Sequence, residues 1–439
     1  MSAAATIAIF IMFDLGNLFS LLLFGEVQMH STTAPMSSGS PLIHRFLAGL
    51  RPAADTPLRL RLWNDLEHDF GPDPRVTVAL NAPGAMRYFL PPSLDNLAEG
   101  YVNGHFDVQG LAQDIIGVAA QLAHGGVAAN KRFGRLFGAL HHDRKKDARA
   151  IAHHYDVSND FYALWLDHSM VYSCAYFPSG SESLQAAQQA KLDHVLTKIM
   201  LKPGERLLDI GCGWGALAMR AAQQFGARVV GVTLSKNQFD LARARVAQAG
   251  LADRVEIRLQ DYRDLNPRNG QFDKITSIGM FEHVGLKHLP EYFGAIHALL
   301  KDGGLVLNHG ITSTDPGSGT APLGAAQFIE KYVFPNGELP HISLALHDMQ
   351  AAGLEPLDVE CLRRHYASTL EMWSGNYEQH ADAARGLVNE TTFRVWRIYL
   401  AGCAHAFAQN WVSIYQVLAC KAGSGAALNP TPWSRAYMY

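Results

Sequence analysis

Between residues 200 and 310, short apolar runs alternate with longer segments whose apolar positions recur every three to four residues. The short runs are typical of buried strands, and the longer segments are typical of amphipathic helices. Strands that alternate with helices predict a doubly wound, mostly parallel α/β sheet that binds its ligand at the carboxyl ends of its strands. The predicted strands are the start of Leu207–Gly215, Arg228–Val232, Val255–Leu259, Lys274–Ile278, Leu305–Asn308 and a late run at Trp411–Cys420. The predicted helices are Ala216–Phe225, Lys236–Ala249, Pro290–Leu300 and Ser343–Ala352.

A smaller α+β domain is predicted upstream, over residues 41–125. Strand-like runs at Arg75–Leu80 and Met86–Leu90 flank the turn signal Asn81-Ala-Pro-Gly84, and helical patterns follow near Leu94–Val102 and Leu111–Leu122. This segment contains no catalytic constellation. Lipid binding is the role considered for it.

Two further segments have open interpretations. Residues 1–40 form an N-terminal extension whose apolar run Ile7–Phe24 is either a peripheral membrane segment or an extension that packs against nothing. Residues 126–150 form a basic linker, which is either a patch for an anionic membrane surface or a solvated helix. The large domain is expected to span residues 151–430.

Composition excludes several classes. The chain has 439 residues, 48% of them hydrophobic, and a net charge of −3, which gives no general basis for nucleic-acid binding. Its five cysteines are odd in number and lack C-x-x-C spacing, which favours a reduced, cytoplasmic setting. The histidine pairs also lack metal-ligand spacing, so no metal site is predicted.

The run Leu207–Gly215, with the sequence LLDIGCGWG, is the strongest local signal. A strand that ends in three glycines before a helix is where the backbone of a βαβ unit approaches a bound nucleotide. The spacing also fits the motif of nicotinamide enzymes, but the second strand ends in Thr233 rather than in an acid that would hold a dinucleotide ribose. Asp209 and the pair Gln260-Asp261 favour S-adenosylmethionine instead. A turn that serves only helix–strand packing is the remaining alternative.

Seven separated motifs resemble the cyclopropane-fatty-acyl-phospholipid synthase family. The match runs in the family's order from about residue 150 to residue 420, and the upstream domain is similar to the smaller N-terminal domain of bacterial members. The resemblance implies a class I methyltransferase fold and transfer of a methyl group from S-adenosylmethionine to a cis double bond of an acyl chain. The motifs are Tyr172–Tyr176, Leu207–Gly215, Gly231–Gln238, Gln260–Asp264, Gly279–Gly285, Lys331–Gly337 and Arg364–Tyr366.

For the cofactor, the residue types and the resemblance together indicate a set of contact positions. Thr233 and Gln238 are expected to take the ribose hydroxyls, in place of the absent acid. Trp214 is left open between packing and contact. The expected cofactor-binding residues are Tyr172, Ser173, Asp209, Gly211, Gly213, Thr233, Leu234, Gln238, Gln260, Asp261 and Phe281.

The resemblance further implies a bound bicarbonate that acts as the base. It would be held by Cys174, Glu282, His309, Tyr366 and the backbone of Ile311, and the four side chains are the expected catalytic residues. Taken singly, Cys174 is typical of a small buried hydrophobe and His309 of a satisfied core histidine. Glu282 lies among apolar residues, where a buried carboxylate needs a partner.

The expected activity is cyclopropanation of unsaturated acyl chains in membrane phospholipids. Methyl transfer leaves positive charge on the acyl chain, which Tyr172, Tyr332 and Tyr366 are expected to stabilise by cation–π contact. The expected partners are phospholipid acyl chains at the inner face of the membrane, with peripheral association from the cytoplasm, and a homodimer is left open. Methylation without ring closure is the first alternative. A nicotinamide oxidoreductase or a non-catalytic nucleotide-binding module is the second.

Overall fold

The structure, a computed structural model, describes residues 41–50, 52, 55–126, 157–318, 326–333, 337–422 and 429–438. The chain divides into two units, Met1–His44 and Arg45–Tyr439. Helix α1 (Pro41–Leu50) begins in the first unit and ends in the second. The apolar run Ile7–Phe24 lies outside the described residues, as does the basic linker 126–150 except for Gly126.

A four-stranded sheet with the order β2-β1-β3-β4 forms the upstream part of the second unit. Strand β1 is antiparallel to β2 and parallel to β3, and β3 is antiparallel to β4. The predicted strand at Arg75–Leu80 and both predicted helices are confirmed to within a few residues. The elements are β1 (Leu58–Arg61), β2 (Glu67–Asp69), β3 (Val76–Leu80), α2 (Leu94–Val102), β4 (Phe106–Gln109) and α3 (Ala112–Gly126).

The predicted strand Met86–Leu90 is wrong, because residues Pro83–Tyr88 form a 3₁₀ helix. Pro83 favours this outcome, since its ring fixes φ near the helical value and its missing N–H is not needed at the start of a helix. The Phe89 N–H closes the end of the turn by donating to the Met86 carbonyl at 3.1 Å. The apolar run therefore reflects burial of residues such as Phe89 rather than strand pairing.

A seven-stranded sheet with the order β10-β11-β9-β8-β5-β6-β7 forms the large domain. The five strands from β9 to β7 are parallel, and β11 runs antiparallel to both of its neighbours. The predicted doubly wound, mostly parallel architecture is thus confirmed. The strands are β5 (Arg206–Ile210), β6 (Arg228–Thr233), β7 (Val255–Leu259), β8 (Phe272–Ile278), β9 (Leu300–Ser313), β10 (Leu354–Cys361) and β11 (Val412–Lys421).

Helices flank this sheet, and they include all four that the sequence predicts. None of the helices in the described ranges is long and apolar enough to span a bilayer. Their bounds are α4 (Asn159–Ala163), α5 (Leu184–Lys198), α6 (Ala216–Phe225), α7 (Lys236–Gln248), α8 (Leu289–Leu299), α9 (Ala326–Tyr332), α10 (Ile342–Ala351), α11 (Arg363–Gln379), α12 (Ala381–Leu387) and α13 (Glu390–Ala408).

Two apolar cores cover the two faces of the large sheet. Along β5, Leu207 belongs to the core formed with α5, α6 and α7, whereas Leu208 belongs to the core formed with α8 and α10. Val229 and Val230 divide in the same way along β6. Because successive side chains of a strand point to opposite faces, an almost continuous apolar run is what a sheet covered on both sides requires.

Strand β9 is longer than the predicted run Leu305–Asn308. Its antiparallel neighbour β11 pairs with it as far as Ser313, whereas its parallel neighbour β8 pairs with it only as far as His309. His309 and Ile311 therefore lie inside a strand, on the same side of the pleat, rather than in a loop beyond it.

Two arginines of α13 connect the four-stranded sheet to the large domain. Arg394 donates to the Tyr101 carbonyl at 2.9 Å and forms an ion pair with Asp107. Arg397 donates to the Tyr101 hydroxyl at 3.2 Å and to the Glu378 carboxylate at 2.7 Å. Several charge-assisted hydrogen bonds from one helix hold the upstream sheet, so its position is fixed against α13.

Candidate active site

An open cavity of about 980 Å³ lies at the carboxyl edge of the large sheet, where β5, β6, β7 and β8 end. This is the edge at which open α/β sheets bind their ligands. Nine of the eleven expected cofactor-binding residues line it: Tyr172, Ser173, Asp209, Gly211, Gly213, Thr233, Leu234, Gln238 and Gln260.

Gly211 and Gly213 of the glycine turn line the cavity. The three glycines of the turn share a positive φ but differ in what surrounds them. Gly211, Gly213 and Gly215 have φ of +77°, +53° and +83°, a region that other residues rarely adopt. A Cβ on Gly211 would lie 2.6 Å from the Met280 Sδ, whereas a Cβ on Gly213 would meet nothing within 4 Å. Gly213 therefore leaves room for a ligand, and Gly215 begins helix α6.

The ends of β6 and β7 present polar side chains to the cavity. Thr233 Oγ1 donates to Gln238 Oε1 at 2.9 Å, and both residues are buried. Ser235 caps helix α7 by accepting from the Gln238 N–H at 3.3 Å, which brings Gln238 back beside Thr233. The Gln260 N–H donates to the Thr233 carbonyl at 3.1 Å, so the two strand ends are joined. The expected ribose-binding pair is thus held together.

Asp209 is a buried carboxylate at the end of β5. Thr276 Oγ1 donates to its Oδ1 at 2.9 Å. Burial raises the pKa of Asp209 to about 6, because it penalises the charged form more than this hydrogen bond and nearby Lys191 favour it. A carboxylate with so little solvent is well suited to bind a cationic group of a ligand.

Asp261 and Phe281, the other two expected cofactor residues, do not line the cavity. Asp261 caps the 3₁₀ turn Tyr262–Asp264 and pairs with Arg263 at 2.7 Å. The Phe281 ring packs against Gly310, where a Cβ would lie 1.6 Å from the ring. This explains why residue 310 has no side chain.

Glu282 lies in the 3₁₀ turn Phe281–His283, against strand β9. Its Oε1 accepts from the Ile311 N–H at 2.7 Å, and its Oε2 is buried without a hydrogen-bond partner in the described part of the chain. Burial raises the pKa of Glu282 to about 7, which outweighs the hydrogen bond from Ile311. The carboxyl group is therefore poised to change its protonation state near neutral pH.

His309 is only 1% exposed and faces Gln416 across strands β9 and β11. The Gln416 amide Nε2 lies 3.3 Å from His309 Nδ1, while His309 Nε2 has no partner among the described residues. Burial, with Lys191 and Lys198 nearby, lowers the pKa of His309 to about 3, so the ring is neutral. In the tautomer with its proton on Nε2, Nδ1 accepts from this amide nitrogen.

Cys174 and Tyr366 meet at the carbonyl of Leu362. The Cys174 Sγ lies 3.8 Å from this carbonyl oxygen, and the Tyr366 N–H donates to it at 3.0 Å. The Leu362 N–H in turn donates to the carbonyl of Ile414, which pairs with Ile311 across the sheet. Glu282, His309 and Ile311 thus lie on or against β9, while Cys174 Sγ and the Tyr366 backbone contact the Leu362 carbonyl, whose residue is joined to β11. None of them lines the cavity described above.

Aromatic rings lie between these two groups of residues. Tyr172, which lines the cavity, has its ring centroid 5.3 Å from Trp373, and Trp373 lies 6.0 Å from Tyr366. Trp214 also lines the cavity, and its indole N–H donates to Asn159 at 2.8 Å. Tyr332 belongs instead to α9, where Phe328 is its aromatic neighbour.

Sequence reasoning missed several residues at the site. Lys191 and Tyr262 line the cavity, and Gln416 contacts His309. The sequence did contain a signal for Lys191, because its spacing of four residues from Ala187 and from Val195 places it on the buried face of α5. Gln416 had none, since the pairing that places it opposite His309 depends on an antiparallel strand more than 100 residues away.

Comparison with known proteins assigns this chain to a family. Residues 142–417 match the model described as mycolic acid cyclopropane synthetase. Residues 47–131 match a domain of unknown function. A relative from Pseudomonas putida named "Probable fatty acid methyltransferase" is 45% identical over 396 residues, which cover 90% of this chain and 100% of the relative. The tuberculostearic acid methyltransferase of Mycobacterium tuberculosis is 41% identical over 286 residues, which cover 63% of this chain and 65% of that relative.

Comparison with solved structures leads to the same family. The crystal structure of the mycolic acid cyclopropane synthase CmaA1, complexed with SAH and CTAB, matches with a TM-score of 0.59 and 36% identity. The match covers 62% of this chain and 98% of that one. The class I methyltransferase fold expected for the large domain is therefore confirmed.

Proposed function

Since this chain belongs to the mycolic acid cyclopropane synthetase family and is an S-adenosylmethionine-dependent methyltransferase, we propose that it builds cyclopropane rings on acyl chains. The acceptor is a cis double bond, the acyl chain belongs to a membrane phospholipid, and bicarbonate is the base. The enzyme works at the inner membrane surface as a peripherally associated protein.

One observation carries this proposal. Glu282 Oε2 and His309 Nε2 are both buried and have no hydrogen-bond partner within the described residues. His309 belongs to β9, and Glu282, in the turn after β8, is joined to β9 by the hydrogen bond from the Ile311 N–H. Buried polar atoms are nearly always paired, so two such atoms indicate a small polar ligand. A carboxyl group and a neutral imidazole together offer one acceptor and one donor, which suits bicarbonate because that anion both donates and accepts.

The residues around this position have distinct tasks in the proposal. His309 Nε2–H donates to the anion, and Glu282 Oε2 accepts from its hydroxyl group. Burial keeps the Cys174 thiol neutral by raising its pKa, so it acts as a weak donor and not as a nucleophile. When bound, bicarbonate would supply the base that takes a proton from the new methyl group.

On the cofactor side, S-adenosylmethionine supplies the methyl group. Gly213 lets the backbone approach the ligand, and Thr233 with Gln238 binds the ribose hydroxyls. Holding the two reactants in place can contribute about 7–11 kcal/mol to lowering the barrier.

The aromatic rings between the two groups of residues would stabilise the positive charge that develops on the acyl chain. Tyr172 lies at the cavity, and Trp373 and Tyr366 continue from it toward Cys174. A desolvated cation over such a ring gains about 2 kcal/mol. The same rings keep out water, which would otherwise trap the cation before the ring closes.

Methylation without ring closure is the second candidate. It is favoured by the names of two relatives, a fatty acid methyltransferase and a tuberculostearic acid methyltransferase. Both candidates use the same donor and the same alkene, so they differ only in the fate of the intermediate cation.

Product analysis separates the two candidates. The purified protein is incubated with trideuteromethyl-labelled S-adenosylmethionine, bicarbonate and vesicles of cis-unsaturated phosphatidylethanolamine. Ring closure removes one hydrogen from the new methyl group, so the product retains two deuterium atoms and resists mild hydrogenation. An intact methyl group would retain three. A product of that second kind, formed at the same rate with and without bicarbonate, would contradict cyclopropanation.

A further inference from the structure

Lys191 is a buried lysine to which the proposed function assigns no role. Its side chain is only 2% exposed and lines the same cavity as Asp209 and the glycine turn. Its Nζ donates to Ser173 Oγ at 3.0 Å. An ammonium group has three N–H donors, and the other two have no partner among the residues that the structure describes.

The nearby carboxylates do not bind this ammonium group directly. Asp167 accepts instead from the backbone N–H groups of Ser169 and Val171, each at 2.8 Å. Asp209 accepts from Thr276. Burial lowers the pKa of Lys191 to about 8, with partial compensation from Asp167, Cys174 and Asp209, so the ammonium form still dominates at pH 7. A buried charge with unused donors is costly unless a ligand completes its surroundings.

Lys198 shows what a purely structural lysine looks like on the same helix. It lies seven residues further along α5, is fully buried, and forms ion pairs with Asp358 at 3.2 Å and with Glu360. It does not line the cavity. The protein therefore supplies the counter-charges of Lys198 but leaves Lys191 facing the ligand cavity.

We propose that Lys191 is a cofactor-binding residue whose ammonium group binds the α-carboxylate of S-adenosylmethionine. Asp209, which lines the same cavity, then faces the α-ammonium group of the cofactor. A zwitterionic amino-acid moiety would thus meet one buried group of each sign. Ser173 holds the lysine in place. This inference depends on the methyl donor alone, so it stands or falls separately from ring closure.

Binding measurements on the full chain test the proposal with two probes. S-adenosylhomocysteine contains the complete zwitterion, whereas its decarboxylated analogue keeps the amine and lacks only the carboxylate. By isothermal titration calorimetry, the unmodified protein should bind S-adenosylhomocysteine about 10- to 100-fold more tightly, the range expected for a hydrogen bond to a charged group. Lys191→Met should lose this preference while its affinity for the analogue stays the same or improves.

Lys198→Met is the matched control, since it removes an equally buried ammonium group from the same helix. It should lower the melting temperature but keep the preference for S-adenosylhomocysteine. If Lys191→Met does not fold, Lys191→Gln is measured in its place. Equal affinity of the unmodified protein for the two probes would overturn the proposal without any variant, and so would an equal loss for both probes in the Lys191 variant.

Discussion

Gln416 lies directly opposite His309 in the register of strands β11 and β9, and its amide Nε2 is 3.3 Å from His309 Nδ1. With the amide nitrogen donating to Nδ1, this contact favours the tautomer that carries its proton on Nε2, the atom that has no partner among the described residues. Gln416 itself is fully buried, so no solvent can replace it. The residue that orients His309 thus comes from the antiparallel strand added to the parallel sheet.

Gln416→Leu should therefore weaken the bicarbonate site without affecting the cofactor site. Losing one hydrogen bond costs about 0.5–1.5 kcal/mol, so we expect the apparent affinity for bicarbonate to fall by roughly 3- to 10-fold. The measurement is the rate of product formation as a function of bicarbonate concentration. S-adenosylhomocysteine binding serves as the control and should not change. A variant with an unaltered bicarbonate dependence would show that His309 is oriented by other contacts.

Glu282→Gln should abolish product formation and leave cofactor binding nearly intact. The amide can still accept from the Ile311 N–H, but it places an NH₂ group where Oε2 should accept a hydrogen bond. Glu338→Gln is the matched control, because the Glu338 side chain also accepts from a backbone N–H, that of Leu286 at 2.9 Å. Its own N–H donates to the Glu282 carbonyl at 3.4 Å, so the control makes the same chemical change next to Glu282 at a residue that is not among the expected catalytic residues. Full activity of Glu282→Gln in a mass-spectrometric product assay would rule out the proposed role of Glu282.

The rate should decrease as the pH falls through about 7. Burial raises the pKa of Glu282 to about 7, so the acceptor form prevails above this pH and the protonated form below it. The rate is measured from pH 6 to 8 at a constant concentration of bicarbonate ion and saturating cofactor, with S-adenosylhomocysteine affinity measured in parallel. A rate that increases on acidification would mean that Glu282 acts as a hydrogen-bond donor.

Much of the cofactor site could be predicted because its signals are local. The strand, the glycine turn and the helix start at Leu207–Gly215 lie within one short segment, and the φ values of the glycines follow from that turn. Thr233 and Gln238 are only five residues apart, and one helix cap brings them together. Such features depend on local chain geometry, so a sequence pattern is enough to find them.

The remaining features depend on tertiary packing, and the sequence could not supply them. Cys174 contacts the carbonyl of Leu362, the residue that precedes the helix of Tyr366, across nearly 200 residues of chain. The extension of β9 that carries His309 follows from its pairing with β11 rather than from its own apolar pattern. The error at Met86–Leu90 has the same origin, since the burial that makes the run apolar does not require a strand.

Gly213→Ala should impair cofactor binding far more than it affects folding. A Cβ at Gly213 meets no protein atom within 4 Å, so it would enter the space left for the ligand. Gly250→Ala is a well-matched control, because Gly250 also has a positive φ, +66°, and open space around it, but lies at the end of helix α7 away from the cavity. Both variants should lose about 1 kcal/mol of stability from backbone strain.

Only Gly213→Ala should lose affinity for S-adenosylhomocysteine, by at least about tenfold, because the added methyl group displaces the ligand from the turn. Thermal unfolding measures the shared loss of stability, and calorimetric titration measures the difference between the two variants. If Gly213→Ala bound S-adenosylhomocysteine as tightly as Gly250→Ala, the ligand would not lie against this turn. The absence of a side chain at residue 213 would then be explained by its φ of +53° alone.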